Sequence, residues 1–254
     1  MAGLAHLLTF LAAGISALFF FRVKSVAGLG LWMPKALVGS ASAFVAAMGA
    51  LGAALSLWVR APLAIAAGVL AVLLPVRYVR RVAAPHDGFE RAFGPDWQHK
   101  IAPEQWALML KRRWVGRLPS HQGVRWERDL TFWTIPGTDR ELLCDIWQPP
   151  EGVSPSGLAP IYLHGGAWHW MDKDFGTRPF FRHLSAQGHV VMDVAYRLCP
   201  EVDIYGMIGD VKRAIVWMKT NPGRYDVDPA RVVVGGGSTG AHLAMLAAYA
   251  PYRS

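Results

Sequence analysis

The sequence predicts a chain in two parts: an N-terminal α-helical membrane segment, then an α/β domain whose doubly wound sheet is partial and lacks its C-terminal strands. Three observations predict this. The first 81 of 254 residues contain no acidic side chain, and their apolar runs are long. Beyond them, short β-branched runs alternate with helical patterns, the rhythm of βαβ units. Near the end, Val232–Val233–Val234 leads through Gly235–Gly236–Gly237–Ser238–Thr239–Gly240 into a stretch rich in Ala, Leu and Met. That succession reads as a buried strand, a turn too tight for side chains, and a helix.

Residues 4–21, 36–59 and 61–76 form the apolar runs. Arg22 and Lys24 close the first, Pro34–Lys35 opens the second and Arg60 closes it, and the third ends at Arg77, Arg80 and Arg81. Each approaches or exceeds the length that crosses a hydrocarbon core of ~30 Å. A cleavable leader does not fit the first run, which lacks a basic start and is followed by two more. The basic residues Arg22, Lys24 and Lys35 share a side with Arg77, Arg80, Arg81, Arg91 and Lys100, leaving Arg60 on the other. A multi-pass integral membrane protein follows, with its N-terminus outside and the α/β domain in the cytoplasm. The short third run leaves a re-entrant segment open. The net charge of +8 comes without a nucleic-acid-binding motif and clusters beside the apolar runs, so the lipid bilayer, not nucleic acid, is the partner it implies.

The expected organisation is a transmembrane region of about three helices (1–81), a linker (82–122) and the α/β part (123–254). In the linker, Pro103 to Gly116 reads as an amphipathic helix, with Trp106, Leu110 and Trp114 at helical spacing and Lys111, Arg112 and Arg113 beside them. It suits either a membrane interface or the surface of the following domain. Arg125 to Thr134 and Glu141 to Gln148 read as a hairpin around Pro136–Gly137–Thr138–Asp139. A strand from Ala159 to Leu163 follows, then a helix near Pro179 to Gln187, a strand from His189 to Ala195, and a helix near Tyr205 to Thr220. The Val232 strand and a helix from Ala241 to Tyr249 end the series.

Ser238 sits at the strand-to-helix joint within Gly236–Gly237–Ser238–Thr239–Gly240, a G-x-S-x-G in the context that lifts a serine hydroxyl out of a sheet. Taken alone, the same glycines fit a phosphate-binding turn. About 70 residues earlier, His164–Gly165–Gly166–Ala167–Trp168 leaves its own strand, and glycines there let backbone N–H groups approach a developing oxyanion. Together the two loops read as a site for acyl transfer.

With these residues in view, the chain resembles the α/β-hydrolases of the hormone-sensitive-lipase-like carboxylesterase group. Tyr196–Arg197–Leu198–Cys199–Pro200–Glu201 resembles that group's Tyr-Arg-Leu-Ala-Pro-Glu, with Cys in place of Ala. Asp210, Ala214 and Trp217 fall at familiar spacing, and Asp226–Val227–Asp228–Pro229–Ala230–Arg231 resembles the group's approach to the elbow strand. The resemblance spans roughly residues 125–250. It implies Ser238 as nucleophile and Gly165, Gly166, Ala167 and Thr239 as oxyanion candidates, with His164, Gly236 and Gly240 supporting the elbow and loop. His-Gly-Gly-Ala-Trp and the Gly-Ala-His-Leu-Ala after the serine are also similar to kynurenine formamidases and isoprenylcysteine methylesterases. The expected substrate is a small or lipid-like ester; a formamide, or a non-catalytic membrane-anchored scaffold, is the alternative.

Members of this group place an acid and then a histidine after the nucleophile, and neither follows Ala244. The expectation is a chain cut short after the elbow helix, hydrolytically silent alone, with its elbow strand near an open edge. His242 is expected to be packed, His169, His183 and His189 to lie at the surface or at strand ends, and Asp193, Asp210 and Asp226 to be structural. Cys144 and Cys199 make no disulfide framework, and Cys144 reads as a buried free thiol in a strand. No metal or organic cofactor is implied.

Overall fold

The computed structural model describes residues 2–21, 30–111, 115 and 117–249. The chain divides into two compact units, Met1–Gly94 and Pro95–Ser254.

The first unit contains α1 (Ala2–Ala17), extended by a 3-10 turn (Leu18–Phe20), α2 (Trp32–Ser40), α3 (Ser42–Trp58), α4 (Pro62–Val82) and α5 (Gly88–Phe93). Small residues recur every third or fourth position on the faces that meet. They are Ala5, Thr9, Ala12 and Ser16 on α1, Ser42, Gly49, Gly52 and Ser56 on α3, and Ala64, Gly68 and Ala71 on α4. Leu7, Phe44 and Leu63 point outward instead. This reverses the usual soluble arrangement and matches the way apolar helices pack where large side chains gain nothing by turning inward. The approach is close. A Cβ on Gly49 would lie 2.6 Å from Ala71 Cβ, and one on Gly68 would lie 2.9 Å from the Gly49 carbonyl oxygen. Two buried hydroxyls are satisfied within their own helices, Thr9 Oγ1 donating to the Ala5 carbonyl at 2.9 Å and Ser56 Oγ to that of Gly52 at 2.8 Å.

Among the described residues, two helical stretches are long and apolar enough to cross a membrane, Ala2–Phe20 and Pro62–Val82. Two expectations need correction. The run at 36–59 is not one straight helix, because α2 and α3 meet at 75° beside Gly39 and Ser40, a small-residue break of the kind that bends helices. The run at 61–76 is not short, because α4 continues through Pro75 to Val82. Proline at 75 cannot bond the Ala71 carbonyl one turn earlier, and Ser16 Oγ donates to that oxygen at 3.4 Å.

In the second unit, α6 covers only Pro103–Leu108; the helix expected to reach Gly116 ends when Met109 turns extended (φ −73°, ψ 150°). Six residues with no side-chain cap give too few internal bonds to propagate further. Arg112, Arg113, Trp114 and Gly116 lie outside the described residues.

The sheet holds β1 (Arg125–Thr134), β2 (Glu141–Gln148), β3 (Ala159–Leu163), β4 (Val191–Val194) and β5 (Val232–Gly236) in the order β1-β2-β4-β3-β5. β1 and β2 are antiparallel, β2 pairs antiparallel with β4, and β3 pairs parallel with both β4 and β5. Among the described residues β5 is therefore an edge. The β4 ladder is shorter than the expected 189–195 stretch. Crossover helices α7 (Arg178–Ala186) and α8 (Ile204–Thr220) join the parallel strands, the four-residue α9 (Pro222–Tyr225) follows, and α10 (Thr239–Tyr249) leaves β5. Asp203 caps α8, its carboxylate accepting the Gly206 N–H at 2.9 Å.

Alternation along the strands supplies two apolar faces. Ile146, Ile161 and Met192 face a core shared with Met207, Val211 and Met218 of α8 and Leu243 of α10. Trp147 and Val191 pack with Phe181 of α7. Helices thus cover both sides of a mixed sheet, and the turns after β3 and β5 emerge side by side.

Candidate active site

Ser238 is separated from β5 by one residue, is exposed, and holds φ at +51°, a left-handed conformation that a non-glycine residue adopts only where its surroundings enforce it. The flanking glycines provide that enforcement. A Cβ on Gly236 would overlap the Leu163 carbonyl oxygen, and one on Gly240 would overlap the carbonyl oxygens of both Leu163 and His164. The Gly237 N–H donates to the Leu163 oxygen at 3.2 Å, so the end of β3 and the turn after β5 are tied together. Thr239 begins α10 and is buried. Its N–H belongs to the first turn of a helix, where amides have no intrahelical acceptor.

The second loop starts at His164 and lies alongside. A Cβ on Gly165 would stand 3.4 Å from Ser238 Cβ and 3.2 Å from the Gly237 carbonyl oxygen. Gly166 takes φ +128° with the Trp170 carbonyl against its Cα, leaving no room for a side chain. Its own oxygen accepts the N–H groups of His169 (3.1 Å) and Trp170 (2.9 Å), closing a tight turn. Ala167 and Trp168 continue with φ of +53° and +64°. The structure therefore brings Gly165 and the elbow serine into contact and carries Gly166 and Ala167 onward in the same turn.

His164 is buried and supports the loop. Its Nδ1 lies 2.6 Å from the Gly165 oxygen, which can only accept, so the proton resides on Nδ1. Burial depresses its pKa, partly opposed by that bond, and the ring stays neutral. It stacks on Tyr196 with centroids 4.5 Å apart, and Tyr196 OH donates to the His164 carbonyl at 2.8 Å.

Among the described residues no side chain hydrogen-bonds the Ser238 hydroxyl. His242 is exposed rather than packed, with its ring edge-on to Trp168 at 5.7 Å; one turn into α10, its position turns outward while Leu243 and Ala244 face the core. His183 is not at the surface. It is buried between His121 Nε2 (3.1 Å) and Gln187 Nε2 (2.8 Å), because α7 turns that face toward the preceding segment. His189 is half-buried and bonds Ser156 Oγ at 2.7 Å, and His169 is exposed. Asp210 is fully buried and gripped by Arg197 through Nε (2.8 Å) and Nη2 (2.7 Å), which fixes the Tyr196–Arg197 segment to α8. Asp226 ends α9 in a left-handed turn. Among the described residues, no group of three or more His, Cys, Asp or Glu side chains is placed to hold a metal ion.

A charged cluster beneath the glycine loop was not anticipated. Lys173 Nζ lies 2.7 Å from Asp145 Oδ1 on β2 and 2.6 Å from Asp129 Oδ1 on β1. Asp145 also accepts the Trp126 Nε1–H (3.0 Å) and the Asp129 N–H (2.9 Å). Across the ladder from Asp145, Asp193 is fully buried and accepts the Asp174 N–H at 2.6 Å; burial pushes its pKa up to about 7. The signal in the sequence was an acid with apolar neighbours on both sides in the interior of each of two strands, at 145 and at 193.

Parts of the chain are similar to known proteins. Residues 144–253 match the BD-FAE family. Over 170 residues the chain is 33% identical to esterase LipQ of Mycobacterium tuberculosis, a match covering 64% of this chain and 40% of that protein. Over 109 residues it is 37% identical to the probable carboxylic ester hydrolase LipM of the same organism, covering 42% of this chain and 25% of the relative. Esterase B from Lactobacillus rhamnosis, in an inhibited crystal structure, is 27% identical with a TM-score of 0.43, covering 60% of this chain and 46% of that one. The chain thus spans less than half the length of these relatives. The stretch that matches the BD-FAE family starts within β2 and takes in the rest of the sheet and α10, and the chain is similar over that stretch to proteins named as esterases.

Proposed function

We propose that this chain carries the nucleophile and oxyanion hole of a membrane-anchored carboxylic ester hydrolase. The observation that supports it best is the exposed Ser238, held at φ +51° with the Gly165 backbone against it. In this reading Ser238 Oγ attacks the ester carbonyl. The resulting oxyanion takes hydrogen bonds from the Thr239 N–H and from amides of the Gly165–Gly166–Ala167 turn. Collapse expels the alcohol and leaves an acyl group on Ser238, which water then removes. The reading also requires an imidazole to accept the serine proton and an acid to orient it; among the described residues no side chain bonds the Ser238 hydroxyl. The LipQ and LipM names support ester cleavage.

The substrate we propose is a lipid-like ester. Trp168, Trp170, Met171 and Phe175 are exposed in the loop that follows the oxyanion glycines, an apolar rim suited to an acyl chain. Outward-facing leucines and phenylalanines on α1, α3 and α4 support a bilayer around the first unit. With α1, the bent α2–α3 pair and α4 as three crossings, Arg77, Arg80 and Arg81 at the end of α4 favour a cytoplasmic hydrolase unit.

The test is turnover of p-nitrophenyl butyrate by the protein expressed from its own reading frame and purified in detergent. Ser238→Ala is expected to lower kcat by about 10³-fold or more at unchanged folding. Equal turnover by the alanine variant would remove Ser238 from the role.

A further inference from the structure

The loop from His164 to Gly176 is strained beyond its glycines. Ala167, Trp168, Met171 and Asp174 all hold positive φ, at +53°, +64°, +73° and +68°. A loop of this kind relaxes unless something outside it holds it. Its early half is tied by the Cys199 N–H, which donates to the Trp168 carbonyl at 2.9 Å. Its later half is tied by the Asp174 N–H to buried Asp193 and, most strongly, by the Lys173 ammonium.

Lys173 is the one side chain of this loop seen to reach two strands. Its side chain is 9% exposed, and Nζ sits between Asp145 Oδ1 and Asp129 Oδ1. The receiving side is built for it. Asp145 is fully buried in the middle of β2. β1 bulges between Glu127 and Leu130, and Asp129 in that bulge adopts φ +54°, donating its N–H to Asp145 while turning its carboxylate to Lys173. Lys173 and Asp145 form a buried ion pair with the exposed Asp129 carboxylate at its edge, and burying such a pair gains little stability that apolar side chains of the same volume would not also supply. Their specific product is position: the loop can sit at one height above the sheet.

We propose that Lys173 is a positioning residue for the oxyanion turn, holding the Gly165–Gly166–Ala167 amides at their distance from Ser238 through the Asp145–Asp129 clasp. The proposal rests on the ester-cleaving reading above for its catalytic consequence. Lys173 touches no reacting atom. It acts through the five residues between itself and Ala167, within which Trp170 donates its N–H to the Gly166 oxygen. Burial lowers the affinity of the ammonium for its proton while the two carboxylates raise it, and the balance keeps Lys173 charged.

The experiment compares the wild type with Lys173→Met and with the double variant Lys173→Met/Asp145→Asn, in the detergent-purified protein. The single change strands a buried carboxylate, so both thermal stability and turnover are expected to fall. The double change removes both charges, and its thermal midpoint is expected to return close to that of the wild type. Its kcat on p-nitrophenyl butyrate should nevertheless stay at least about tenfold low with KM within about threefold, the signature of a lost transition-state interaction. Hydrogen–deuterium exchange over 164–176 should be faster in both variants. Turnover that recovers together with stability in the double variant overturns the proposal, since Lys173 would then serve stability alone. Unchanged exchange over 164–176 overturns it whatever the turnover. Turnover that Ser238→Ala retains sinks the ester-cleaving reading instead, and exchange then decides by itself whether Lys173 holds the loop.

Discussion

Gly165 lies against Ser238 so closely that a methyl group on the glycine would stand 3.4 Å from Ser238 Cβ and 3.2 Å from the Gly237 carbonyl oxygen. The space is tight without being closed, and φ at this glycine is not in the left-handed region. Gly165→Ala is therefore expected to fold, with a stability loss of about 1 kcal/mol. The neighbouring backbone must yield by a few tenths of an ångström, and it is the backbone that carries the candidate oxyanion donors. Turnover should fall by about 10²-fold, as small misplacements at reacting centres do. Parallel denaturation and p-nitrophenyl butyrate assays separate the two effects.

Gly240 is a different case. A Cβ there would overlap the carbonyl oxygens of Leu163 and His164, both backbone atoms of the neighbouring strand end. No flexible side chain can move aside. Gly240→Ala is expected to cost about 3 kcal/mol or more, at the upper end of what overpacking does. A denaturant midpoint for Gly240→Ala no lower than that for Gly165→Ala would contradict the packing described.

These two glycines show how much of the site the sequence reveals. Gly236-x-Ser238-x-Gly240 and His164–Gly165–Gly166 are local patterns, and a tight strand-to-helix turn follows from their residue types alone. The βαβ rhythm implies parallel strands joined by crossover helices, but the order that makes the turns after β3 and β5 neighbours comes from the structure. Lys173 could not be read that way, because its partners lie 28 and 44 positions earlier on two strands, and only the bulge at Asp129 brings all three together. The bend between α2 and α3 escaped for a related reason: Gly39–Ser40 sits within an unbroken apolar run, and hydropathy does not register a change of direction. His183 and His242 exchanged their expected environments, since one turn of helix phase decides which face each meets.

Asp193 gives the second unit a pH dependence of unusual sign. Its carboxyl is fully buried, and its pKa rises from 3.8 to about 7, chiefly through burial and also through the nearby acids Asp145 and Asp174, while the Asp174 N–H and Lys173 oppose the rise. A raised carboxyl pKa means the folded state holds its proton more tightly than the unfolded chain. Stability from this group is therefore full below pH 4 and is lost as pH rises through about 7, a change on the order of 4 kcal/mol. Asp193→Asn keeps an oxygen for the Asp174 N–H and removes the titration. It should raise the thermal midpoint at pH 8 more than at pH 5; an equal shift at both values would place the titration elsewhere.

Ser238 lacks an imidazole partner among the described residues, and this has a direct readout. A serine hydroxyl without a base is a weak nucleophile toward fluorophosphonates. Expressed as these 254 residues, the chain is expected to label no faster than its Ser238→Ala variant. Stoichiometric labelling of the 254 residues alone would mean that a group within them serves as base, with His242 the first to replace.

The first unit yields a prediction that does not depend on catalysis. Gly52 of α3 meets α1 at Thr9, where an added Cβ would lie 2.7 Å from Thr9 Cγ2 and 3.0 Å from the Thr9 backbone nitrogen. Phe44 of the same helix points outward and is 72% exposed. If small residues set the helix spacing, volume added at 52 must push α1 and α3 apart, while volume removed at 44 disturbs no contact between helices. Gly52→Leu is thus expected to destabilise the helix packing by about 1–3 kcal/mol or more, and Phe44→Ala to change it by less than about 0.5 kcal/mol. Thermal unfolding in detergent, followed by protease cleavage between α1 and α3, reads both variants. Matching losses would show that bulk apolar area holds these helices together; a loss confined to Gly52→Leu assigns the spacing to the small-residue seam.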